Sequence, residues 1–254
     1  MDLQMGLVLL LSTAAYIGVG IAVGVRLVRL ARRTKGFPER MLGISCLAGP
    51  GLVAPCLVVV HAIAEPEALV RAAAFVGQIG YALFCSVMVM FTWQCFRPDE
   101  GWARWLVRVS IATVVFSAIV GMARALGLAS VLELRDMDHW AYRAIGIASV
   151  VGHLWTGLES FAYYGRMRKR RVLGLADPVV TNRFLLWGMV ACGALVASGV
   201  PLAVGFLGGD SFNDVPTRLA GAAATIFGTV CLQLAFLPPQ SYVRWLQKRA
   251  LAAA

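Results

Sequence analysis

Charge is scarce in this sequence. Asp, Glu, Lys and Arg make up 14% of its 254 residues, against about 25% in a soluble domain. A chain this poor in charge is neither a water-soluble globule nor a disordered polymer. Lysine is rarer still: Lys35, Lys169 and Lys248 all lie outside the long apolar runs. A retinal Schiff base needs a lysine within the bundle, so opsin chemistry is excluded.

Other absences narrow the chemistry further. The six cysteines (Cys46, Cys56, Cys85, Cys95, Cys192 and Cys231) include no Cys-x-x-Cys pair, and all fall within apolar runs. No disulfide framework or zinc knuckle is expected, and they read as small packing residues. There is no P-loop, His-Glu-x-x-His or Ser/His/Asp arrangement. Glu133, Asp136, Asp138 and His139 lie close together, but without a spacing specific to a metal. The three histidines, His61, His153 and His139, sit at different depths or in a loop, which does not suit a bis-histidine haem. No metal and no cofactor is expected.

What remains is strongly apolar: 59% hydrophobic residues and a mean hydropathy of +0.76. A membrane-crossing helix takes roughly 20 apolar residues. Runs of that kind occupy 5–29, 41–63, 68–95, 104–126, 141–165, 184–207 and 216–237. The chain 1–254 therefore reads as a single all-α domain, a polytopic seven-transmembrane-helix bundle, with no room for a soluble domain beside it. Gly49, Pro50, Gly51 and Pro55 predict a kink in the second span, because proline removes a backbone donor and crowds the preceding turn.

The net charge of +10 is distributed by topology. Lys and Arg stay on the cytoplasmic side. The segments after spans 1, 3 and 5, together with the C-terminal tail, hold 18 of them, against five on the other side: Arg71, Arg124, Arg135, Arg143 and Arg218. This places the N-terminus outside and the C-terminus in the cytoplasm. Nucleic acid is not an expected partner. Anionic lipid at the basic inner loops is, at about 1 kcal/mol per basic residue. Span 1 has Asp2 rather than a basic segment before it, so it reads as a retained anchor, not a cleaved signal.

Loop grammar supports these boundaries. Gly174 closes the fifth helix, Asp177-Pro178 opens the sixth, and Pro238-Pro239 stops the seventh. Residues 242–251 then place Tyr242, Val243, Trp245, Leu246 and Ala250 opposite Arg244, Gln247 and Lys248, an amphipathic helix lying on the inner leaflet. Arg32-Arg33-x-x-Gly36 before span 2 echoes Arg170-Arg171-x-x-Gly174 before span 6, as in a 3+1+3 repeat plan. Such features also recur in unrelated membrane proteins. Gly20-x-x-x-Gly24 permits close helix approach or a homo-oligomer contact.

An ionisable residue inside a span is a candidate functional group. Glu159 leads, on one helical face with Trp155 and Tyr163 at four-residue spacing. The plainer reading pairs it with Arg183, Arg108 or a backbone group near the inner interface. His153 lies mid-span, about 240° around the helix from Glu159. It is a ligand contact or proton relay, or else a neutral histidine bonded to a carbonyl on a neighbouring helix. Gln94, Glu159, Arg183 and Gln233 share the inner third, and converging faces would give a pocket open to the cytoplasm. Gln78, Ser198, Thr225 and Thr229 read as helix–helix glue.

The leading expectation is a non-enzymatic sensor or receptor-like protein. It binds a small or lipid-like ligand within the bundle and acts through a cytoplasmic partner. That layout matches seven-helix receptors by fold-level analogy alone. The alternative is a small-solute or proton-coupled transporter with Glu159 titrating and spans 2 and 6 as gates. An intramembrane enzyme ranks last, because one Glu and one central His are few groups for it. Ala-, Gly- and Arg-rich usage suits a bacterial inner membrane.

Overall fold

The computed structural model describes residues 3–63, 65–134, 139–208 and 214–251, and among these no strand occurs. Ten α-helices follow in order: α1 (Leu3–Thr34), α2 (Phe37–Ala48), α3 (Ala54–Ala62), α4 (Glu67–Phe96), α5 (Gly101–Ala123), α6 (Val131–Leu134), α7 (Trp140–Val172), α8 (Pro178–Phe206), α9 (Val215–Phe236) and α10 (Gln240–Leu251). Among the described residues, six helical stretches are long and apolar enough to cross a membrane: 6–34, 37–62, 67–96, 101–128, 178–206 and 215–236. The 33-residue α7 falls outside that group, because polar residues such as His153, Thr156 and Glu159 lower the hydropathy of its central part.

The long helices pack in chain order around a ring. α1 lies on α2, α2 on α4, α4 on α5, α5 on α7, α7 on α8 and α8 on α9, which returns to α1. α4 also reaches across to α7. The bundle thus has two ends. The basic end carries Arg32, Arg33, Arg97, Arg170 and Arg171; the opposite end carries the starts of α1, α4, α7 and α9.

Helix boundaries follow local chemistry. Asp177 accepts hydrogen bonds from the backbone N–H groups of Val179 and Val180 at 2.7 and 2.9 Å, capping α8 at Pro178. Asp214 caps α9 in the same way through Thr217. Gly174 takes φ +70°, the left-handed conformation that terminates α7 and that a side chain would strain. α9 stops at Phe236, just ahead of Pro238-Pro239. At the site of the expected kink, Gly49–Val53, the second span widens into a π-helical turn between α2 and α3. Such turns interrupt the regular ladder and cluster at functional sites. By contrast, α8 runs unbroken through Pro201 near its end, so the two spans proposed as matching gates are built differently.

The basic half of the bundle is packed solid. Val23, Leu27, Met41, Leu42, Cys46, Val87, Met88, Phe91, Trp187 and Leu232 form one cluster joining α1, α2, α4, α8 and α9. Without water in the hydrocarbon layer, close packing is what holds such helices together. The Gly20/Gly24 face serves this purpose within the chain. A Cβ on Gly20 would lie 2.2 Å from the Pro50 Cβ, and one on Gly24 would lie 2.8 Å from Leu47 Cγ. The close-approach reading therefore holds, and the partner is the kinked span.

At the opposite end Arg71 ties α4 to the end of α5. Its guanidinium donates to the Ala125 and Ala129 carbonyls at 3.4 and 2.9 Å and pairs with Glu67 at 2.7 Å. These carbonyls close the π-helical turn Arg124–Leu128, where α5 ends. Arg71→Ala should cost about 1.5–3 kcal/mol, the range for hydrogen bonds that involve a charged group. A melting curve in detergent checks this; an unchanged midpoint would mean that the tie contributes nothing.

Candidate functional site

A cavity of about 510 Å³ occupies the half of the bundle away from the basic end. Its wall is built by the π turn and α3, by α4 and α7, and by α8 and α9, with Tyr16 contributed by α1. The apolar cluster of the basic half forms its floor, where Met88, Trp187 and Leu232 belong to both. Gly77, Gly146, Gly193 and Gly228 lie along the walls, and Gly193 lets α8 approach α9: a Cβ there would stand 2.9 Å from the Ala224 carbonyl oxygen. The volume is typical of small-molecule sites, which run about 300–1,000 Å³.

His153 is the polar side chain set deepest on α7 among those facing this space, apart from Thr156, and lies about 20 Å along the helix from its start. Its Nδ1 lies 2.8 Å from the Ser149 carbonyl oxygen, one turn back. A carbonyl only accepts, so Nδ1 carries the proton and donates. Nε2 is left as an acceptor, with no hydrogen-bond partner among the described residues. The ring leans on Phe84, centroids 5.7 Å apart. The plainer expectation for His153, a bond to a carbonyl on a neighbouring helix, is not met: the acceptor is the Ser149 carbonyl of its own helix. Nε2 remains available to a ligand.

Other polar atoms line the same space. Ser198 and Thr229 return their hydroxyls to the Ala194 and Thr225 carbonyls of their own helices at 2.7 Å each. They do not bridge helices as the glue reading expected; with Gln78 and Thr225 they make the cavity wall partly polar. Arg143 is the one Asp, Glu, Lys or Arg among the described lining residues. It donates to the Gly205 carbonyl at 3.2 Å and lies over the Phe206 ring.

Glu159 is elsewhere. It points to the basic end, where Arg97 Nε donates to its Oε1 at 2.7 Å. The Glu159 side chain is almost fully buried, while the Arg97 side chain is 35% exposed and its guanidinium also approaches Glu100. The hydrogen bond from Arg97, then the charge of Glu159, makes Arg97 hold its proton more tightly than usual. One turn back on each helix, the Thr92 and Thr156 hydroxyls meet at 2.6 Å. Glu159 Oε2 and the Nε1 atoms of Trp93 and Trp155 are buried there with no hydrogen-bond partner among the described residues. The α4–α7 seam is a polar clasp in an apolar setting.

No family model matches this chain. Searches of curated proteins and of solved structures also find no match. The site is therefore interpreted from its own geometry.

The remaining expected residues are dispersed. Trp155 is buried against Trp102, centroids 5.6 Å apart, in a cluster with Val89, Ala103 and Val107. Tyr163 packs between Phe96 and Phe184 at the basic end. Gln94, Arg183 and Gln233 are all exposed. The pocket expected from their convergence with Glu159 is not formed, because their faces turn away from the bundle axis. Sequence reasoning also named other partners for Glu159 and missed Arg97, which lies one residue beyond α4. Of the loop acids, Asp136 and Asp138 lie outside the described residues. Glu133 accepts from the Ser130 N–H and hydroxyl at 2.6 and 2.9 Å, which lowers its carboxyl below the ordinary range. His139 caps α7 by accepting from the Ala141 N–H at 3.3 Å.

Proposed function

We propose that this chain is a seven-span, receptor-like membrane protein that binds a small or lipid-like ligand in the central cavity. The cavity with His153 Nε2 on its wall is the observation that carries this reading. A pocket largely apolar in lining with a few polar groups is the usual form of a small-molecule site. α7 serves as the seventh crossing, since it fills the ring between α5 and α8. The count of 18 basic residues against five supports a cytoplasmic basic end, with the cavity in the outer half. A bacterial inner membrane suits the composition. Ligand occupancy would be passed through the packed core to a cytoplasmic partner at the basic loops.

The clasp supports this over the proton-coupled alternative. Glu159 is committed to Arg97 and faces away from the cavity, so a solute in the cavity does not meet it. The test is native mass spectrometry of the protein released in mild detergent. The expected spectrum shows a stoichiometric extra mass that His153→Phe loses while the variant stays folded. Bare protein in both spectra would overturn the reading.

A further inference from the structure

α1 and α3 make little contact beside the cavity. Gly20 and Gly24 press α1 onto span 2, and Ile21 comes within 3.3 Å of where a Cβ on Gly51 would stand. Past this contact the two diverge. The π turn at Gly49–Val53 redirects span 2, and α3 touches α1 only marginally. A Cβ on Gly18 would meet nothing within 4 Å, and Leu7, Leu10 and Leu11 are 55%, 62% and 59% exposed. Tyr16 on α1 and Leu57 on α3 both line the cavity, and Leu57 is also 40% exposed. We place the rim of an opening at Leu57, which lines the chamber, stays 40% exposed and stands where α3 has lost close contact with α1.

We infer that the cavity is filled sideways from the outer leaflet, between Tyr16 and Leu57, by a single-chain lipophile carrying a hydroxyl group. The inference rests on the ligand-binding reading above and specifies its ligand. The route opens into hydrocarbon, so the ligand is a molecule dissolved in the bilayer. Each methylene such a molecule carries favours the bilayer over water by about 0.8 kcal/mol. His153 Nε2 accepts, so the ligand must donate. A hydroxyl does so without bringing a second positive charge into a chamber that Arg143 already lines. A chamber of about 510 Å³ suits one chain, not the two of a phospholipid.

The test uses liposomes holding the full chain and a long-chain alcohol bearing a diazirine. Photolabelled peptides are mapped over time by mass spectrometry. The expected label falls on cavity-facing positions of α3 and α7. Leu57→Ala widens the rim and speeds cavity labelling several-fold, whereas Leu57→Trp slows it by about tenfold. His153→Phe lowers its final extent by about tenfold, since a buried donor loses its acceptor. Equal labelling rates in wild type and both Leu57 variants would overturn the lateral route while leaving the cavity reading intact. If Leu57→Trp fails to fold, an unchanged rate in Leu57→Ala does so alone. Label confined to the lipid-facing perimeter of wild type would overturn both the route and the binding site.

Discussion

Gly20→Ala should lower the melting midpoint by roughly 5–10 °C, while Gly18→Ala, two residues away, should leave it unchanged or raise it. The chemical change is the same in both. An added methyl in an exposed helix interior is favourable by up to about 1 kcal/mol, because glycine loses more backbone freedom on folding. At Gly18 nothing opposes that gain, since no heavy atom lies within 4 Å of the new methyl. At Gly20 the methyl would stand 2.2 Å from the Pro50 Cβ and 2.5 Å from its Cγ. A proline ring cannot rotate away, so the helices must separate. Overpacking of this kind costs about 1–3 kcal/mol and sometimes more. The contact also fixes where α1 leaves span 2, so Gly20→Ala should alter cavity labelling as well as stability. Equal midpoints for the two variants would mean that the α1–span 2 contact is not a tight one.

The second large effect concerns the clasp. Arg97→Leu should destabilise by on the order of 2 kcal/mol, because it strands a buried carboxylate. The figure lies below the range for a fully buried pair, since the Arg97 side chain is 35% exposed. Glu159→Leu should be milder, as it leaves behind a cation that can turn to solvent and to Glu100. The double variant Arg97→Leu/Glu159→Leu should recover most of the Arg97→Leu loss, because an apolar pair of similar volume removes both desolvation penalties. Melting curves for the four proteins close this cycle. Purely additive losses would show that the two side chains are not coupled. None of the three variants should change ligand retention, because Glu159 faces away from the cavity. Loss of ligand in a well-folded Glu159→Leu protein would instead favour the proton-coupled alternative.

The architecture was legible where one residue decides a local outcome. Asp177, Gly174, Pro238 and the Gly49-Pro50-Gly51 triplet each act through their own backbone, and the structure places each feature at the expected position. The depth of His153 was legible but its partner was not: Nδ1 turns back to the Ser149 carbonyl of its own helix, not to a neighbouring one. The position of the cavity was not legible. Depth along a helix can be counted from sequence, but rotation about its axis depends on packing. Gln94, Arg183 and Gln233 share the depth of Glu159, yet they face outward. Arg97 was missed as the partner because it lies just past α4, where the chain turns at the C-cap and swings the guanidinium back onto α7. Small residues such as Gly77 and Gly146 carry no sequence signal that separates a cavity wall from a close helix contact.

The most direct measurement is a density map of the protein purified in mild detergent without stripping its lipids. The expected map shows elongated density in the cavity, with a polar atom within hydrogen-bond distance of His153 Nε2 and a tail running out between Tyr16 and Leu57. A cavity that is empty, or that holds separate waters alone, would contradict ligand binding at this site.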